Sequence, residues 1–213
     1  MTATICPTIT AQSDDTNAYN EQVERLASFA LRIHIDLTDG QLAPTKNISP
    51  EEVWWPGGVR ADLHVMYRRP FEHTAVLLDL GPQLIIVHAE AEGDFKKFAE
   101  QAHDHGIEVG VALQQHTSPE LIRSSLHLID HVLVFSGDLG HFGGHADFRL
   151  ITKVKHLREL KPTLEIGWDG GVNDDNARAL AMSGVDVLNV GGFIQKAKDP
   201  NASYEKLVHI LAT

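Results

Sequence analysis

Along the chain, short runs of apolar and β-branched residues alternate with longer segments whose apolar positions recur every three or four residues. The runs are Thr4–Ile9, Leu31–Asp36, Ala61–Val65, Leu84–His88, Glu108–Leu113, His131–Phe135, Leu164–Trp168 and Val185–Val190. Each has the length of a strand, and their near-continuous apolar character is that of strands covered on both faces. Pro7 weakens the first, because proline offers the ladder no donor. Between the runs, the spacing predicts helices over Glu21–Ala30, Phe95–His105, Pro119–Leu126, Phe148–Leu160, Asp174–Ser183 and Tyr204–Ala212. Ser118 and Asn173 are placed to cap two of them, and Gly184 to end one in a left-handed turn. Asp14–Asn20 and the stretch from Trp54 to Arg60 read as loops. Eight strand–helix units in 213 residues predict one α/β domain, residues 1–213, folded as a closed parallel (β/α)8 TIM barrel. A doubly wound open sheet is the second choice, since it ordinarily uses fewer strands.

Composition narrows the partners. There are 29 acidic and 18 basic residues, for a formal charge of −11. That balance argues against nucleic acid or an anionic membrane, though a local site can still oppose the global field and take an anionic small molecule. A content of 43% hydrophobic and 22% charged residues is ordinary for a globular chain. No apolar run approaches the ~18–20 residues of a membrane span, and the start of the chain lacks the basic and apolar stretches of a signal peptide. The single cysteine, Cys6, cannot form an internal disulfide, which fits a reducing, cytoplasmic compartment.

Chemistry in a parallel barrel belongs at the C-terminal ends of the strands. The second strand ends His34-Ile35-Asp36, the third carries His64, and the seventh is followed by Asp169. Period two points His34 and Asp36 to the same side. Taken singly, a strand-end histidine is an ordinary core residue and a strand-end aspartate an ordinary helix cap. Taken together, two imidazoles and two carboxylates at one mouth suit a divalent cation such as zinc, manganese, cobalt or iron(II). Glycines form a second pattern: Gly137, Gly140, Gly143 and Gly144 follow the sixth strand, Gly170-Gly171 the seventh, and Gly191-Gly192 the eighth. Any one pair is turn chemistry, but three clusters at neighbouring strand ends suit a phosphate cradle built from backbone N–H groups.

These segments resemble the ribulose-phosphate 3-epimerase family. His34-Ile35-Asp36-Leu37-Thr38-Asp39-Gly40 resembles its H-x-D-x-M-D-G signature, Asp62-Leu63-His64-Val65-Met66 its D-x-H-L-M, and Val87-His88-Ala89-Glu90-Ala91 its V-H-x-E-A. Phe142-Gly143-Gly144, Asp169-Gly170-Gly171-Val172 and Pro7-Thr8-Ile9 resemble its F-G-G, D-G-G-V/I and P-S-I/L, all in family order. The resemblance implies a barrel of the ribulose-phosphate-binding type and a metal-dependent isomerase of the pentose phosphate pathway. It inverts C3 of a phosphorylated ketose, with D-ribulose 5-phosphate converted to D-xylulose 5-phosphate. It implies one divalent metal ion on His34, Asp36, His64 and Asp169, with Asp36 and Asp169 also the acid and base. Substrate would be held by Thr8, His64, Gly143, Gly144, Gly170, Gly171, Gly191 and Gly192, in a homo-oligomer. The sequence departs from the pattern at several places. Thr38 and Phe135 replace methionines of the reacting centre, Leu139 a proline, His145 a glutamine and Gly192 a serine, and His141 is an extra residue. Those departures leave open an epimerase for a related pentulose or hexulose phosphate, and a non-catalytic sugar-phosphate-binding paralogue.

Overall fold

The computed structural model describes residues 3–9, 15–140 and 144–213. Eight strands close into a barrel in sequence order. They are β1 (Thr4–Ile9), β2 (Arg32–Thr38), β3 (Arg60–Met66), β4 (Leu84–His88), β5 (Glu108–Leu113), β6 (His131–Phe135), β7 (Glu165–Asp169) and β8 (Val187–Val190). Every pairing is parallel, and β8 closes on β1. The closed sheet settles the choice between barrel and open sheet. Pro7 lies within the ladder, as the register partner of Val190 on β8, while β1 pairs with β2 only from Thr8 onward.

The side chains divide by period two. Ile33, Ile35 and Leu37 of β2, Leu63 and Val65 of β3, and Ile166 and Trp168 of β7 face out into the shell under the helices. The alternate positions face in. Leu84, Ile86, Ala112 and Leu133 make a small apolar plug there. Beneath it, at the N-terminal end, Arg32 makes a bidentate contact with Glu165 and a further bond to Asp62, while His131 Nδ1 bonds Glu165 at 2.8 Å.

The outer layer comprises α1 (Thr16–Ala27), α2 (Thr74–Asp79), α3 (Phe95–Asp104), α4 (Ile151–Leu160), α5 (Ala177–Met182), α6 (Gly192–Gln195) and α7 (Pro200–Ala212), with 3-10 turns between. Among the described residues no helix is long and apolar enough to cross a membrane. Several boundaries differ from those the spacing predicts. Residues 16–20, expected as loop, open α1: Asp15 caps Asn17 and Ala18, and Tyr19 is buried with its hydroxyl on the Trp54 carbonyl. The segment Pro119–Leu128 is a 3-10 helix. Its steeper rise advances the chain about 20 Å in ten residues instead of about 15 Å. Asn173 does not cap a helix at 174. Its Oδ1 accepts from Asp175 N in a local turn, and α5 begins only at Ala177. Gly184, at φ +101°, does end α5 as expected.

Candidate active site

The C-terminal mouth gathers the polar strand ends. Asp36 and His64 are register partners on β2 and β3. Asp36 Oδ1 lies 2.9 Å from His64 Nδ1 and 3.3 Å from His34 Nε2. Asp169 arrives from the end of β7, and one ligand-capable atom from each of the four residues lies within 4.8 Å of all the others. Bonds of about 2.0–2.2 Å place donors on one ion up to about 4.4 Å apart, so the cluster has the scale of a cation site. His34 Nδ1 is buried without a hydrogen-bond partner among the described residues, and Nε2 faces Asp36. An N/O set without thiolate fits a borderline divalent cation.

The environment treats the two carboxylates oppositely. Burial disfavours the Asp36 anion, but His34 and His64 outweigh it and hold the group well below the usual carboxylate range. Burial and then the charge of Asp36 push Asp169 up to about 7. Burial brings His64 down to about 4 against the pull of Asp36. For His34, Asp36 more than offsets burial and the group rises above its ordinary value.

Two supporting residues were given no role by the sequence, although His88 lies in the Val87–Ala91 motif. His88 Nε2 lies 2.9 Å from His64 Nε2, and His88 Nδ1 lies 3.5 Å from Glu90 Oε2. With Nε2 so engaged, Nδ1 is the His64 nitrogen facing Asp36. The Phe135 ring packs on both imidazoles, with centroids 5.8 and 6.0 Å away. An inward histidine ending β4 was the available signal. Asn47 donates to the Asp36 carbonyl and accepts from Thr38 N, both at 2.7 Å. It thereby splices the following loop onto the end of β2 and fixes Asp36. Nothing in its loop context marked it.

Above the cluster opens a cavity of about 300 Å³, at the small end of ligand sites. Asp36, Asp169 and Thr8 line it, as do Gly144, Gly170, Gly171, Gly191 and Gly192. His34 and His64 lie beneath it, wholly buried. Gly143 and His141 fall outside the described residues, and His145 is exposed. The rim needs its glycines. Gly170 has φ +113° and Gly171 φ +72°, and a Cβ on either would overlap the backbone of the β6 loop, at Gly137 or at Ala146. That close approach is tied by a bond from Ser136 N to the Asp169 carbonyl.

A parallel barrel whose mouth holds a His–Asp cluster under a glycine-rimmed cavity is the architecture of a barrel enzyme, with a cluster that could hold a cation beside a space for a small ligand. Comparison with known proteins is more specific. The ribulose-phosphate 3 epimerase family matches residues 4–194. The ribulose-phosphate 3-epimerase of Helicobacter pylori is 33% identical over 186 residues, covering 84% of this chain and 85% of that protein. The Schizosaccharomyces pombe ribulose-phosphate 3-epimerase is 29% identical over 210 residues, covering 93% and 89%. The crystal structure of 3-hexulose-6-phosphate synthase from Salmonella typhimurium covers 100% of this chain and 99% of its own, with a TM-score of 0.73 at 18% identity. That last likeness is one of fold. The chain belongs to the ribulose-phosphate 3-epimerase family and is an enzyme of the isomerase class.

Proposed function

We propose that the chain inverts the C3 configuration of a ketose phosphate, converting D-ribulose 5-phosphate to D-xylulose 5-phosphate. The observation that carries this reading is the pair Asp36 and Asp169. Both line the cavity, both belong to one tight cluster, and their surroundings favour opposite protonation states. The C3 proton beside the carbonyl is weakly acidic. The ionised Asp36 carboxylate takes it from one face, and the Asp169 carboxyl returns a proton to the other. In the reverse direction the two exchange roles. One divalent cation (zinc, iron(II), manganese or cobalt), when bound by His34, Asp36, His64 and Asp169, supplies Lewis-acid stabilisation of the charge that develops as the proton leaves. His34 and His64 move no proton and hold the Asp36 carboxylate in place. Backbone N–H groups around Gly143, Gly144, Gly170, Gly171, Gly191 and Gly192 receive the phosphate. Thr8 meets the sugar, and His64 supports it from beneath the cavity.

Thr38, standing where the family pattern has methionine, favours a second reading in which the sugar is a related pentulose or hexulose phosphate. A non-catalytic binder would have no need of the second carboxylate. The test is Asp169→Asn, metal-loaded, in deuterated solvent. One epimer should exchange its C3 proton without inverting, and Asp36→Asn should show the same defect with the other epimer. Full inversion at the wild-type rate by metal-loaded Asp169→Asn would overturn the two-carboxylate reading. A panel of pentulose and hexulose phosphates distinguishes the sugars.

A further inference from the structure

The cavity above Asp36 and Asp169 has two unlike walls. One is formed by the neighbouring strands β8, β1 and β2, through Asn189, Thr8 and Thr38. Each of these residues is 2% exposed, and Asn189 Oδ1, Thr8 Oγ1 and Thr38 Oγ1 have no hydrogen-bond partner among the described residues. The other wall carries Met66 of β3 and Phe135 of β6. Buried polar atoms without partners cost folding free energy. Valine would fill the space of Thr38, and leucine that of Asn189, without that cost. Three such atoms just beneath one wall of one cavity therefore point to a ligand that satisfies them after a small turn of each side chain.

Their placement beside the reacting groups is specific. Asn189 is the register partner of Asp169. Thr38 follows Asp36 by two residues on β2, so both face inward. Asn189 Oδ1 can only accept, and therefore asks for a hydroxyl donor. The Thr38 hydroxyl can donate or accept. Hydroxyls of a bound sugar can meet the polar wall while its C–H groups meet Met66 and Phe135.

We infer that Thr38 and Asn189 are specificity-determining residues that hydrogen-bond the substrate hydroxyls at C1 and C4, on either side of the C2 carbonyl and the reacting C3, so that the site selects a fully hydroxylated ketose phosphate over its deoxy analogues. The inference rests on the epimerase reading for its substrate class and adds to it the residues that read the sugar. A site built to bond a hydroxyl rejects the analogue that lacks it more strongly than an apolar pocket separates similar sizes.

The experiment pairs Thr38→Val and Asn189→Leu with D-ribulose 5-phosphate and its 1-deoxy and 4-deoxy analogues, using metal-loaded protein. Each variant should lose roughly tenfold in kcat/KM for the full sugar, the value of one net hydrogen bond. It should lose little for the analogue lacking the hydroxyl it reads, so that discrimination collapses at one position only. Thermal midpoints should be unchanged or raised, because an unpartnered polar atom has been removed. Wild-type discrimination retained by both variants overturns the inference. So does a lowered midpoint with unchanged selectivity, which would assign these atoms to the fold. Should the wild type invert none of these sugars, the epimerase reading fails instead. Calorimetric binding of the same phosphates then decides the inference, and equal affinities in wild type and both variants overturn it.

Discussion

Asp36 Oδ1 and His64 Nδ1 meet at 2.9 Å across the paired strands β2 and β3. The contact turns both side chains toward one centre, and burial keeps the imidazole neutral with a lone pair to offer. His64→Ala should therefore lower the divalent metal retained by the protein from about one ion per chain to a small fraction of that, with the fold intact. Elemental analysis after purification without chelators measures this. Unchanged metal content would remove His64 from the ligand set.

The bond between His64 Nε2 and His88 Nε2 yields a separate expectation. A partner on the second nitrogen fixes the orientation and tautomer of a ligating imidazole. His88→Leu leaves that nitrogen buried and unpaired. Metal affinity should fall about 10- to 100-fold, read by competition with a chelating dye. An unaltered affinity would show that Phe135 packing alone orients His64.

At the opposite end of the barrel, Glu165 takes both Arg32 nitrogens at 2.9 Å and His131 Nδ1 at 2.8 Å. Burial opposes its charge, but Arg32 and His131 outweigh burial and hold it below the usual carboxylate range. The sign follows from linkage. With the folded-state value depressed, the contribution is full above the unfolded-state value of about 4.3 and is lost as pH falls below it. Glu165→Gln should cost about 1–3 kcal/mol at neutral pH, toward the lower end because the side chain is 35% exposed. It should also flatten the acid limb of a urea-denaturation series. An acid limb identical to wild type would mean that other carboxylates govern it.

Gly170 combines φ +113° with a backbone approach to Gly137. Gly170→Ala should destabilise by more than about 1 kcal/mol from the positive φ alone, and further by forcing the β6 and β7 loops apart. Thermal midpoint and KM for the phosphorylated sugar should worsen together. A normal KM in a destabilised variant would place the phosphate away from this rim.

Much of this was legible along the chain. Period two separates Ile33, Ile35 and Leu37 from His34, Asp36 and Thr38, because successive strand side chains alternate and only one face can meet the helices. Strand-end histidines and aspartates, and glycines after three successive strands, carry their chemistry in residue type and spacing. Local signals also misled. The polar residues before Glu21 hid the first turns of α1, whose Tyr19 is held by a carbonyl contributed from Trp54. Asn173 had the identity of a cap but spends its side chain on a turn.

What the linear pattern could not decide is adjacency. A sheet that closes brings β8 against β1, and with it places Asn189, Thr8 and Thr38 on one continuous wall. An open sheet of the same strands would leave them at separate edges. The pairing of Asp36 with Asp169 has the same origin, since their opposite protonation tendencies come from burial and mutual charge at short range, neither of which exists in the unfolded chain. Composition and periodicity determine which side chains face inward. Strand pairing and barrel closure determine which of them meet.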